Sequence, residues 1–121
     1  MKAYTDLSQS KKLAEILPIE SADMYWYLAT KGKPKAMFNE EYNEYGDFEL
    51  PCWSLAALLR VIPKHIKDYN VLRIDISDND FAIWYDEIGY GVNDELPNIT
   101  KKSAVDACVN MIVKLKEKNA I

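Results

Sequence analysis

Histidine is all but absent from this chain: His65 is the only one in 121 residues. There are two cysteines and four glycines. These shortages exclude whole classes of chemistry. One histidine and two widely separated cysteines do not make a Cys/His metal cluster, and two such cysteines read as free thiols rather than a disulfide. Four glycines leave little room for a loop that cradles phosphates. No apolar run reaches the roughly 20 residues needed to span a bilayer. Lys11, Lys12, Glu15 and Glu20 interrupt the basic-then-apolar order of a secretory leader. Positive charge is also short, with 15 Lys and Arg against 19 Asp and Glu for a net −4. That balance gives no drive towards nucleic acid or anionic membrane. A cytoplasmic protein is expected, with no cofactor, no metal, no membrane association, and nucleic acid unfavoured as a partner.

Apolar material is plentiful. At 49% hydrophobic and 28% charged, the chain has enough to build one core, so residues 1–121 read as a single domain. "DLSQSKKLAEILP" predicts a helix capped by Asp6, with Gln9 as reciprocal partner and Leu13, Ile16 and Leu17 on its apolar edge. "MYWYLATKGKPKAMFNEE" predicts a hairpin with arms Met24 to Ala29 and Ala36 to Asn39. "PCWSLAALLRVIPKH" predicts a helix capped by Ser54. Leu55, Leu58, Leu59 and Ile62 would form its buried stripe, Trp53 would staple onto Leu58, and Pro63 would end it.

The clearest pattern is "VLRIDISDNDFAIWYDE". Leu72, Ile74 and Ile76 alternate with Arg73, Asp75 and Ser77; after a turn, Phe81, Ile83 and Tyr85 alternate with Ala82, Trp84 and Asp86. A two-residue Asp78-Asn79 turn pairs Ile76 with Phe81, Ile74 with Ile83 and Leu72 with Tyr85, all on one face. Arg73 then lies beside Trp84 on the other, in position for a cation–π contact. Glycine at position 78 or 79 should suit the positive φ of such a turn. "SAVDACVNMIVKLKEKNAI" predicts a last helix, capped by Ser103, with Val105, Cys108, Val109, Ile112 and Leu115 inward. Segments 39–50 and 87–102 remain as long loops. The order predicts an α+β fold: a four-stranded antiparallel sheet from two hairpins, with about three helices mainly on one face.

Four features invite a functional reading. Cys52 and His65 would make a nucleophile and base, but a helix of about 15 Å separates them. Ser54 lacks the Gly-x-Ser-x-Gly setting of a hydrolase. "DISDNDFAIWYD" places oxygens at Asp75, Ser77, Asn79 and Asp86 in the order of a calcium loop. It has Asp80 where the sharp turn needs glycine, so the hairpin is the better reading. The acidic loop "NEEYNEYGDFELP" interleaves Glu40, Glu41 and Glu44 with Tyr42, Tyr45 and Phe48, as a contact surface for a basic partner would. Tyr25, Tyr27 and Trp84 are candidates for an exposed aromatic sheet face, with half-burial or a protein–protein contact as the better reading in the absence of a basic surround.

The stretches "LSQSKKLAEILPIESADMYW", "LPCWSLAALLRVIPK" and "AVDACVNMIVKL" resemble a family of short uncharacterised proteins from anaerobic gut bacteria and their prophages or mobile elements. The resemblance departs at "TKKSAVDAC", where the family pattern has Asp-Asn-Pro and this chain has Lys102-Ser103. It implies no reaction, substrate or cofactor, only a small accessory protein of bacterial or phage origin. The expected function is non-enzymatic binding to an unknown protein partner. A small enzyme or ligand-binding protein with an unrecognised site, and a structural homo-oligomer, are the alternatives.

Overall fold

The computed structural model describes residues 2–28, 32–39 and 49–121. The first helix, α1 (Leu7–Ala14), starts where the sequence places it. Asp6 accepts from the Gln9 N–H, and the Gln9 side chain accepts from the Asp6 N–H. It ends two residues before Ile16, and a 3-10 turn at Ile19–Ser21 follows. The first hairpin is β1 (Met24–Tyr27) with β2 (Lys35–Phe38), registered Tyr27 to Lys35. A strand not foreseen, β3 (Glu49–Cys52), pairs with the other side of β1. Pro51 is tolerated there because β3 lies at the sheet edge, where one missing N–H breaks no ladder.

The second helix, α2 (Leu55–Val61), is capped by Ser54 and stops at Ile62, next to Pro63. Of its expected stripe, Leu58 and Ile62 are buried, while Leu55 and Leu59 are partly covered. Strands β4 (His65–Ile66), β5 (Asn70–Ile76), β6 (Phe81–Glu87), β7 (Gly91–Val92) and β8 (Ile99–Lys101) form the second sheet. The β5–β6 register is the expected one: Ile76 to Phe81, Ile74 to Ile83, Leu72 to Tyr85. The last helix, α3 (Ala104–Glu117), is capped by Ser103. It buries Val105, Cys108, Val109, Ile112 and Leu115, together with Ala107 and Met111.

The class is therefore α+β, but the single four-stranded sheet is corrected to two sheets, of three strands and five. The missing strands are short. β4 and β7 have two residues each and β8 three, too few for an alternation to appear in sequence. They are specified by what they lie against, not by their own pattern. Both segments read as loops, 39–50 and 87–102, contribute to sheets.

Packing divides the helices. α3 lies over β6 and β8 and against α2, while α1 packs beside β3. One apolar cluster joins Leu13, Trp53, Leu58, Ile83, Tyr85 and the α3 stripe. A second correction concerns turns. Asp78 and Asn79 are not in the positive-φ region; Lys67 and Asp68, between β4 and β5, are, at 50° and 52°.

Candidate functional site

The structure separates the residues that looked catalytic. Cys52 is fully buried at the end of β3, with its thiol against the Thr5 hydroxyl and carbonyl; His65 is exposed on β4 of the other sheet. Burial pushes the Cys52 thiol up, and pushes that of Cys108 up to about 12. Both stay protonated near neutrality and are poor nucleophiles. The Ser54 hydroxyl is committed to its helix. It accepts from the Ala57 N–H and donates to Asp23, which also takes the Ser54 N–H. Asp75 lies across from Ala82 and Asp86 from Val71, four residues further along the ladder. That offset is about 13 Å at the strand rise, so these carboxylates do not converge on one ion.

The aromatic candidates also come apart. Tyr25 and Tyr27 sit half-buried on β1, in the middle of the three-stranded sheet, and Tyr25 reaches Met37 across the strand pair. Trp84 is half-buried on β6 of the other sheet. They do not form one aromatic face. Arg73 lies across from Trp84 as expected, but its Nε donates to Asp86, which also takes the Trp84 indole N–H. The two side chains are joined through that carboxylate. Glu40, Glu41, Tyr42, Glu44, Tyr45 and Phe48 lie outside the described residues.

What the structure adds is the outer half of β5. On the helix-facing side of the sheet, Phe81, Ile83 and Tyr85 are buried, yet their direct partners Ile76 and Ile74 are 75% and 41% exposed. The cause is lateral. α3 covers β6 and β8, and the apolar row continues beyond that cover onto β5. The strand's backbone is open as well. The Ser77 N–H donates to the Asp80 carbonyl, so residues 75, 73 and 71 carry the bonds to β6. Residues 72, 74 and 76 face outward. The Leu72 N–H is taken by the Lys64 carbonyl. Beyond that point, among the described residues, no strand pairs with this edge, and the N–H and C=O of Ile74 and Ile76 face away from β6.

A cleft of about 310 Å³ adjoins Ile76; Leu55, Phe81 and Ala104 form its apolar wall, with Lys2 and Lys102 at the rim. On the solvent face of the same strand, Arg73 is engaged by Asp86, whereas Asp75 is exposed and has no ion pair among the described residues.

In two larger clefts the central polar side chains are bonded within the fold. One of about 480 Å³ contains Asn70 and Asn93. Their amides bond to each other, with the Ile66 carbonyl and the Glu95 N–H completing the set. The other, about 570 Å³, lies beside Asp23, which is occupied by Ser54 and lies 3.9 Å from Arg60.

Sequence reading missed Ile74 and Ile76 as surface residues because their alternation is that of a core row. The available signal was Pro63. It confines the strand beside β5 to a few residues, leaving the far half of a seven-residue strand without a neighbour.

Comparison with family models, with curated proteins and with solved structures found no match. Among the described residues, no helix is long and apolar enough to cross a membrane.

Proposed function

We propose that this chain is a non-enzymatic binding protein that engages another protein through the outer half of β5. One observation carries the reading: Ile76, 75% exposed, stands on an open strand edge beside an apolar cleft. Exposed apolar side chains next to unsatisfied backbone are a template for pairing, and a lone strand edge of this kind is normally blunted. In the two larger clefts Asn70 is paired with Asn93 and Asp23 with Ser54, and both thiols are held protonated. A role among the small accessory proteins of phages or mobile elements, acting in the cytoplasm, belongs to the same proposal. It rests on the resemblance of three sequence stretches.

The test is a photo-reactive amino acid placed at position 76, with a control at Lys116 on the exposed face of α3, irradiated in extract of the producing cells. The reading expects a discrete adduct with a different protein from position 76 alone, lost when Ile74→Asp is added. No adduct would overturn it. An adduct with a second copy, accompanied by dimer in sedimentation, would replace it with the homo-oligomer alternative.

A further inference from the structure

The open edge also defines which kind of strand fits it. Lys64 fills the place opposite Leu72, so an added strand can pair only from residue 73 onward. Outward-facing residues pair with each other in an antiparallel ladder. For two copies of this chain, the two-fold register that uses Ile74 and Ile76 sets each Ile74 opposite the other's Ile76. Asp75 then stands directly opposite Asp75 of the second copy, with Cα atoms ~4.5 Å apart. Like charges directly opposite destabilise a sheet. Moving the axis to Leu72–Ile76 pairing collides with Lys64. Moving it the other way runs into the turn at Asp78 and Asn79. The nearest cation on the strand, Arg73, is already held by Asp86 at 3.3 Å.

We infer that the open edge of β5 takes an extended segment of a different protein as an added strand, one with a Lys or Arg opposite Asp75 and β-branched apolar residues on either side. This rests on the reading of the chain as a binding protein and names the partner's chemistry. The backbone of Ile74 and Ile76 supplies the ladder, and the exposed faces of the same residues supply the apolar contact. The carboxylate of Asp75, which disfavours a second copy, favours the basic strand. Recognition of this form takes affinity from the main chain and selectivity from alternate side chains.

The experiment uses the full chain, isotopically labelled, at low salt, with two capped pentapeptides. One is threonine-valine-lysine-valine-threonine; the other has glutamate at its centre. The lysine peptide should shift the amide resonances of residues 73–77 saturably and bind about tenfold tighter than the glutamate peptide. Asp75→Lys should reverse that order. Ile76→Pro removes an edge donor that β6 does not use, so it should abolish binding with the remaining spectrum intact. A lysine peptide N-methylated on its two valines tests the ladder in the unmodified protein and should also fail to bind. Equal affinity of the two peptides, an unreversed preference in Asp75→Lys, or shifts centred away from β5 would overturn the inference. If the peptides fail but position 76 still cross-links a partner, this inference falls and the binding reading stands. If both fail, both fall.

Discussion

Two pairs of residues in turns behave oppositely to what their letters suggest. Asp-Asn at 78–79 looks like a hairpin turn that wants positive φ, and Lys-Asp at 67–68 does not. The structure reverses them: Lys67 and Asp68 are left-handed at 50° and 52°, and the 78–79 turn is not. The latter is closed by Ser77, whose hydroxyl accepts from the Asp80 N–H while its own N–H donates to the Asp80 carbonyl. Left-handed backbone costs an ordinary L-residue roughly 1–2 kcal/mol, and glycine escapes that cost. Asp68→Gly should therefore raise stability by up to about 1 kcal/mol, and Asp78→Gly should lower it by about 0.5 kcal/mol through unfolded-state entropy. Paired denaturant melts check this; the same sign for both would be inconsistent with the observed backbone. The thiols give a second residue-scale prediction. Cys52 and Cys108 are both fully buried, and burial raises both. Labelling by a thiol reagent at pH 8 should proceed only at the rate of unfolding. Rapid native labelling of either one would show it accessible.

At the scale of elements, burial on one sheet face is decided by lateral cover. Ile83 is fully buried beneath α3, and Ile74, its direct cross-strand partner, is not. Ile83→Ala should cost about 2–5 kcal/mol, as should Leu58→Ala in α2. Ile76→Thr should stay within about 0.5 kcal/mol, because an exposed substitution with good strand propensity removes little packing. A large loss for Ile76→Thr would mean that the outer half of β5 is covered in solution. The helices and the β5–β6 hairpin were legible in the sequence because their signals are local: Asp6 with Gln9, the Ser54 and Ser103 caps, and strict alternation from Leu72 to Tyr85. β4 and β7 were not, because two residues are too few to show an alternation, and β3 and β8 were not, because the strands they pair with lie well back along the chain. The exposed row at Ile74 and Ile76 was hidden by distance as well. Periodicity tells which residues share a face, but the helix that covers that face lies elsewhere in the sequence.

Across the whole molecule, the two ends of the chain are tied by a small charged cluster. Lys2 Nζ donates to Asp106 of α3 at 2.7 Å and to Asp6, the cap of α1, at 3.0 Å; the Gln9 amide also donates to Asp106. Partial burial opposes charge on each group, but these bonds outweigh it. They hold Asp6 and Asp106 below the usual carboxylate range and Lys2 above its ordinary value. The sign follows from linkage. A carboxylate with a depressed native pKa contributes stability that is present above its unfolded value, near 3.9, and lost as pH falls through the native value. For Lys2 the contribution is present below about 10.4 and lost as pH rises through the higher native value. Stability from the cluster should therefore be flat between about pH 5 and pH 9 and fall outside that window. The side chains of Asp6 and Asp106 are 51% and 38% exposed, so solvent screens them and each pair is worth under about 1 kcal/mol. Asp106→Asn removes the charge but keeps the backbone N–H that Ser103 caps. Its melting temperature should lie below that of the unmodified protein at pH 6. The two should converge as pH falls through the depressed native value of Asp106, and the gap at pH 6 should shrink in 1 M salt. A gap that persists unchanged through that fall in pH would assign the effect to the geometry of the α3 start rather than to its charge, and the tie between the chain's first residues and its last helix would then be one of packing.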